Sequence, residues 1–138
     1  MFGQKFFPIQ TPVVKRKTIS LEGYVAGSPA VEKKRAANAF AQVAENLRSG
    51  GKHLAITDRD ANANALEVKI VMIEDPAAHY EVEGLIDAGK SAPRAILDSY
   101  EKTAQTFEAM DGKTFREHVT YLREVGDMLA GWLVEKYS

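Results

Sequence analysis

Residues 53–73 read His53-Leu54-Ala55-Ile56-Thr57-Asp58-Arg59-Asp60-Ala61-Asn62-Ala63-Asn64-Ala65-Leu66-Glu67-Val68-Lys69-Ile70-Val71-Met72-Ile73. Two apolar runs flank a polar centre. His53–Thr57 reads as a short strand and Asp58–Ala65 as a polar loop. Leu66–Ile73, carrying Val68, Ile70 and Val71, reads as a second strand, because β-branched side chains fit a pleated surface. The pair therefore predicts a β-hairpin, and with it a sheet.

The flanking segments extend that reading. From Lys17 to Ala26, Ile19, Leu21, Gly23 and Val25 alternate with Thr18, Ser20, Glu22 and Tyr24, the period of a strand. Residues 79–87 carry both periods. Tyr80, Val82, Gly84 and Ile86 alternate, while Val82, Leu85, Ile86 and Gly89 also fit a helix stripe. Gly84 costs a helix about 1 kcal/mol, which favours the strand.

Three helices are predicted. The first follows Gly27, Ser28 and Pro29, a turn, a cap and a proline suited to the first helical position. It carries the stripe Ala36, Phe40, Val43, Ala44 and Leu47, runs to about Arg48 and ends at Gly50-Gly51. The second spans about Ala92 to Met110, with Ile96, Leu97, Tyr100, Ala104 and Phe107 on one face. The third starts at Thr114-Phe115-Arg116-Glu117, a capping-box spacing, and continues to about Tyr137. Residues 21–29 and 82–93 resemble each other, each turning from a strand through glycine, serine and proline into a helix. The fold class expected is thus α+β: a small, mainly antiparallel sheet of three or four strands packed with three helices.

Residues 1–14 stand apart as an extended arm, interrupted by Pro8 and Pro12 and rich in apolar side chains: Phe2, Phe6, Phe7 and Ile9. The arm is expected to dock on its own body or on a neighbouring chain. Residues 15–138 form a single domain, consistent with a 138-residue chain that is 45% hydrophobic.

Charge and composition exclude several functions. Eighteen Lys and Arg oppose nineteen Asp and Glu, so no global basic field recruits nucleic acid. The absence of cysteine removes disulfides, thiolate chemistry and Cys-rich metal sites. No apolar run approaches the roughly 18 residues of a membrane span. The basic cluster Lys15-Arg16-Lys17 follows the apolar arm rather than preceding it, which is the wrong order for a signal peptide. A cytoplasmic setting is the expectation.

Motifs for chemistry are few. Gly84-Leu85-Ile86-Asp87-Ala88-Gly89-Lys90-Ser91 satisfies the phosphate-loop pattern GxxxxGKS, in which backbone N–H groups and the lysine would cradle a phosphate. The residues before it are polar rather than a buried strand, and Pro93 follows closely, so a strand-to-helix turn capped by Ser91 is favoured over a phosphate site at Gly84, Gly89, Lys90 and Ser91. Asp58, Asp60 and Asn62 begin like a calcium loop. Ala63 and Lys69 stand where the glycine and the glutamate should be. His53, His79 and His118 have no metal or catalytic spacing, and no serine sits in a GxSxG elbow. No catalytic residue, metal or cofactor is expected.

The last helix shows two adjoining apolar stripes. One is Phe115, Val119, Leu122, Gly126, Leu129 and Leu133; the other is Tyr121, Val125, Met128 and Trp132. This exceeds the apolar arc of an ordinary surface helix and implies burial on two sides. Together with the arm it suggests a non-enzymatic structural or interaction protein, a subunit of a homo-oligomer or larger assembly. The contacts would be Phe2, Phe6, Phe7, Ile9, Tyr121, Val125, Met128 and Trp132. The alternative is a small phosphate- or nucleotide-binding protein or enzyme using the Gly84–Ser91 loop. Self-association or a protein partner is expected, and neither a membrane nor nucleic acid.

Overall fold

A computed structural model describes residues 19–57 and 60–138, the stretch 51–63 by its backbone alone. Among the described residues five helices follow in order: α1 Pro29–Thr57, α2 Asp60–Ile73, α3 Pro76–Asp87, α4 Ala92–Glu108 and α5 Lys113–Tyr137. No strand occurs among the described residues. The α+β expectation is therefore overturned. The predicted arm, residues 1–14, lies outside the described residues.

Each misread strand has a physical explanation. Residues 60–73 are helical because alanines at 61, 63 and 65, the best helix formers, precede the β-branched run. The helix penalty of Val or Ile is only about 0.5 kcal/mol per residue, and burial easily exceeds it. Ile73 is fully buried. Residues 53–57 continue α1, so Gly50-Gly51 does not end that helix and no hairpin forms. Residues 79–87 belong to α3, whose buried side chains Val82 and Ile86 stand one turn apart. The start of α3 is written locally: Asp75 caps it by accepting a hydrogen bond from Ala77 N at 3.0 Å, and Pro76 occupies the first turn. Residues 19–26 form no strand either. Gly23 adopts φ +89° and Tyr24 N bonds back to Leu21 O at 3.1 Å, which turns the chain where alternation would need it straight.

The predicted helices persist with altered ends. Ala36, Phe40, Val43 and Ala44 of α1 are buried as their spacing requires. Ser91 caps α4 by accepting from Arg94 N. The capping box expected at the start of α5 is not used: Gly112, at φ +130°, is the N-cap, and no side chain bonds there.

α4 and α5 form an antiparallel pair, and α1 packs against all four other helices. α5 lies at the centre. Its Val125, Leu129 and Leu133 are fully buried, and each such side chain contributes about 1.5–3 kcal/mol. Val119, Leu122, Val125, Leu129 and Leu133 are buried by α1, α2 and α4 of the same chain, whereas Tyr121, Met128 and Trp132 stay half-buried. Gly84 faces outward in the middle of α3, with nothing within 4 Å of a Cβ placed there. Gly84→Ala is expected to raise stability by about 0.5–1 kcal/mol, read as an upward shift of the urea midpoint.

Candidate functional site

Two places concentrate polar and apolar chemistry. The first is a buried carboxylate. Glu32, in the first turn of α1, is 2% exposed. One of its oxygens accepts from Tyr24 Oη at 2.8 Å and from Ala92 N, the first residue of α4, at 2.8 Å. The other accepts from Gly27 N at 2.8 Å and from Arg35 at 3.1 Å. Burial opposes ionisation, but the two backbone N–H groups, Tyr24 and Arg35 outweigh it and hold the carboxyl below its ordinary value. Burial beside that charge pushes the Tyr24 phenol up to about 12. Arg35 also stacks 4.3 Å above the Tyr137 ring. The hub thereby ties residues 24–27 and the ends of α1, α4 and α5 together.

This hub explains what became of the phosphate-loop match. Gly84 lies inside α3 and Gly89, at φ +111°, turns the chain between α3 and α4. Lys90 pairs with Asp98, and Ser91 caps α4. The first free N–H of α4, at Ala92, is already held by Glu32. The eight residues form a helix–turn–helix corner.

The second place is a groove of about 1440 Å³. Leu47 and Arg48 of α1, Leu66, Val68, Ile70, Val71 and Met72 of α2, Thr103 and Phe107 of α4, and His118 and Leu122 of α5 line it. Val71 is 68% exposed at its edge, so the groove presents aliphatic surface outward. Among the described lining residues the carboxylates are those of Glu67, Glu74 and Asp75, and the guanidinium is that of Arg48. Arg48 is held by Glu74 at 2.7 Å, and Glu67 has no ion pair among the described residues. The groove is therefore apolar within and acidic at its edge. Nearby, Lys69 pairs with Glu124 at 2.7 Å and lies 5.5 Å from the Tyr121 ring.

The floor is rigid. Tyr100 of α4, 3% exposed, donates its hydroxyl to Met72 O at 2.8 Å. His79 donates Nε2–H to Ile73 O at 2.6 Å and stacks on Phe40 at 3.9 Å. Two side chains thus satisfy carbonyls that the end of α2 would leave unpaired. Burial raises the Tyr100 phenol above its ordinary value. Across the α4/α5 contact, Arg123 holds Glu101 at 2.8 Å and Glu108 at 3.2 Å.

The remaining sequence candidates fall as follows. Phe2, Phe6, Phe7 and Ile9 lie outside the described residues, as does the side chain of His53. Val125 is wholly buried, whereas Tyr121, Met128 and Trp132 are half-buried. His118 sits at the groove, its Nδ1 2.8 Å from Thr114 O, a geometry that requires an Nδ1–H donor. Its ring meets Phe107 edge to face at 6.0 Å. No group of three or more His, Asp or Glu is placed for a metal among the described residues. No helix there is long and apolar enough to cross a membrane.

Sequence reasoning missed the groove, because Leu66–Met72 was read as a strand. The usable signal was the alanines at 61, 63 and 65, strong helix formers where the hairpin reading placed a loop.

Comparison with known proteins agrees with the helical architecture. Residues 4–118 match the family model described as "PEP-utilising enzyme, N-terminal". Among solved structures, the N-terminal domain of Enzyme 1 - Nitrogen aligns with a TM-score of 0.74 and 24% identity, over 89% of this chain and 53% of that one. At that identity the likeness is one of fold, and this chain spans about half the length of that one. No curated protein matches. The family match overturns the expectation of a non-enzymatic structural subunit.

Proposed function

The chain belongs to the PEP-utilising enzyme N-terminal family, and on that premise we propose that its helices form the protein-docking part of a phosphotransfer enzyme, with the groove as the docking surface. The groove carries this reading: an aliphatic lining with Val71 exposed, together with the carboxylates of Glu67, Glu74 and Asp75, suits a partner that presents an apolar anchor among basic residues. The partner is a small phosphoryl-carrier protein with such a face, and the setting is cytoplasmic.

The described histidines favour docking over chemistry here. His79 is stacked and bonded within the core. His118 shares the groove lining with Glu67, Glu74 and Asp75, and their charge disfavours the oxyanions of a transferring phosphoryl group. The phosphoryl step therefore belongs elsewhere in the enzyme.

Titrating the isotope-labelled chain with a basic phosphoryl-carrier protein is expected to shift the amide signals of α2 and the first half of α5. Val71→Asp, a charge placed at the apolar edge, is expected to weaken binding at least about 30-fold, the effect of a central contact worth about 2 kcal/mol. Shifts confined to α3, or equal affinity in the variant, would overturn the reading.

A further inference from the structure

The acidic side of the groove is partly occupied by the chain's own charge. Arg48 Nη2 lies 2.7 Å from Glu74 Oε2, and each of the two side chains is 46% exposed. Asp75 accepts from Ala77 N as the cap of α3, and Glu67 has no ion pair among the described residues. In Glu74, then, a basic partner meets a carboxylate that a cation of this chain already holds. We propose that Arg48 is a specificity-determining residue of the docking surface: it competes with the partner's lysine or arginine for Glu74, and so holds the affinity for a basic carrier below what the carboxylates of the groove would give. The proposal rests on the groove being a docking surface and adds what limits it.

The fold has little use for the Arg48 pair. An ion pair this exposed adds little to stability. The cations that brace the helices lie deeper. Half-buried Lys69 bridges from α2 to Glu124 of α5 at 2.7 Å beside the Tyr121 ring, and half-buried Arg123 holds Glu101 and Glu108 across the α4/α5 contact. Recognition is set by repulsive groups as well as attractive ones, and a guanidinium in the lining opposes any basic face. Without it, Glu67, Glu74 and Asp75 stand unopposed among the described lining residues. The effect is local, because the screening length is about 10 Å at 0.1 M salt and about 3 Å at 1 M. Lys33 supplies the contrast. It pairs with Asp87 at 2.7 Å, outside the groove lining, and stands fifteen residues before Arg48 on α1, about 22 Å away at 1.5 Å per residue.

Titration calorimetry of the full chain with a basic phosphoryl-carrier protein tests this. Arg48→Gln is expected to tighten binding about 3- to 10-fold at about 0.1 M salt, the effect of removing one unit charge a few ångströms from another in water. The gain is expected to vanish at about 1 M salt. Arg48→Glu, which adds a carboxylate, is expected to tighten binding further. Lys33→Gln makes the same change in net charge as Arg48→Gln and is expected to leave the affinity unchanged. A purely structural role for Arg48 would weaken binding on its removal, so a gain separates competition from support of the fold. Unchanged or weaker binding in Arg48→Gln would overturn the proposal, and so would an equal gain in Lys33→Gln or a gain that survives high salt. Binding by parent and variant without the gain sinks this proposal alone. Failure of the parent and of Arg48→Gln to bind the carrier at all would sink the docking reading and this proposal with it.

Discussion

Glu32→Gln is expected to lower unfolding stability by about 3 kcal/mol, the scale on which breaking a buried ionic group costs a fold. The carboxylate receives four donors on two oxygens. Glutamine keeps one oxygen and turns an NH₂ toward donors that need an acceptor. Either the pair from Tyr24 and Ala92 or the pair from Gly27 and Arg35 loses its partner. Urea unfolding followed by Trp132 fluorescence reads the loss, and an unchanged midpoint would show that the hub does not hold the helix ends. Tyr24→Phe removes one donor and is expected to cost about 1–2 kcal/mol. The pH dependence has a definite sign. The folded carboxyl lies below the ordinary glutamate value of about 4.3, so the unfolded chain takes up the proton first. The contribution is fully present above that value and is lost as pH falls through the folded one. The gap between the parent chain and Glu32→Gln should therefore narrow on acidification from about pH 5.

Gly126→Leu should be the most damaging change in α5, at about 3 kcal/mol or more. Even a Cβ at Gly126 would lie 3.2 Å from Tyr100 Cβ and 3.9 Å from Leu97, and Tyr100 is itself held by its hydroxyl bond to Met72 O. A leucine must push α4 from α5 and strip that bond from the end of α2. Because Met72 lines the groove, binding should fall together with stability. Gly126→Ala separates the two opposing effects, since alanine favours a helix by about 1 kcal/mol over glycine and the tight contact opposes it. The expected sum is a net loss, opposite in sign to Gly84→Ala, where the space is open. Paired urea melts of the two alanine variants decide this, and a stabilised Gly126→Ala would show that α4 can yield.

Some of the architecture was legible in the residues. The α1 stripe, the Ser91 cap with Pro93 in the first turn, and the two-sided apolar α5 all stand where periodicity placed them. The two apolar stripes of α5 imply burial on two sides: α1, α2 and α4 bury Val125, Leu129 and Leu133 from within the chain, while Tyr121, Met128 and Trp132 remain half-buried. The carboxylate hub was not legible, because Glu32 and Ala92 are 60 residues apart and a glutamate in a first helical turn is ordinary for its effect on the helix dipole. The groove was hidden behind the strand reading of 66–73.

Local chemistry alone determined where helices begin at Asp75-Pro76 and Ser91, and which faces of α1 and α5 are apolar, since caps and periodicity act within a few residues. Tertiary structure decided that the β-branched run 66–73 is a helix, that Glu32 seals α4, and that an acidic apolar groove lies between α2 and α5. A preference of about 0.5 kcal/mol per residue cannot settle between strand and helix, whereas burying Ile73 and satisfying the carbonyls of Met72 and Ile73 with Tyr100 and His79 can.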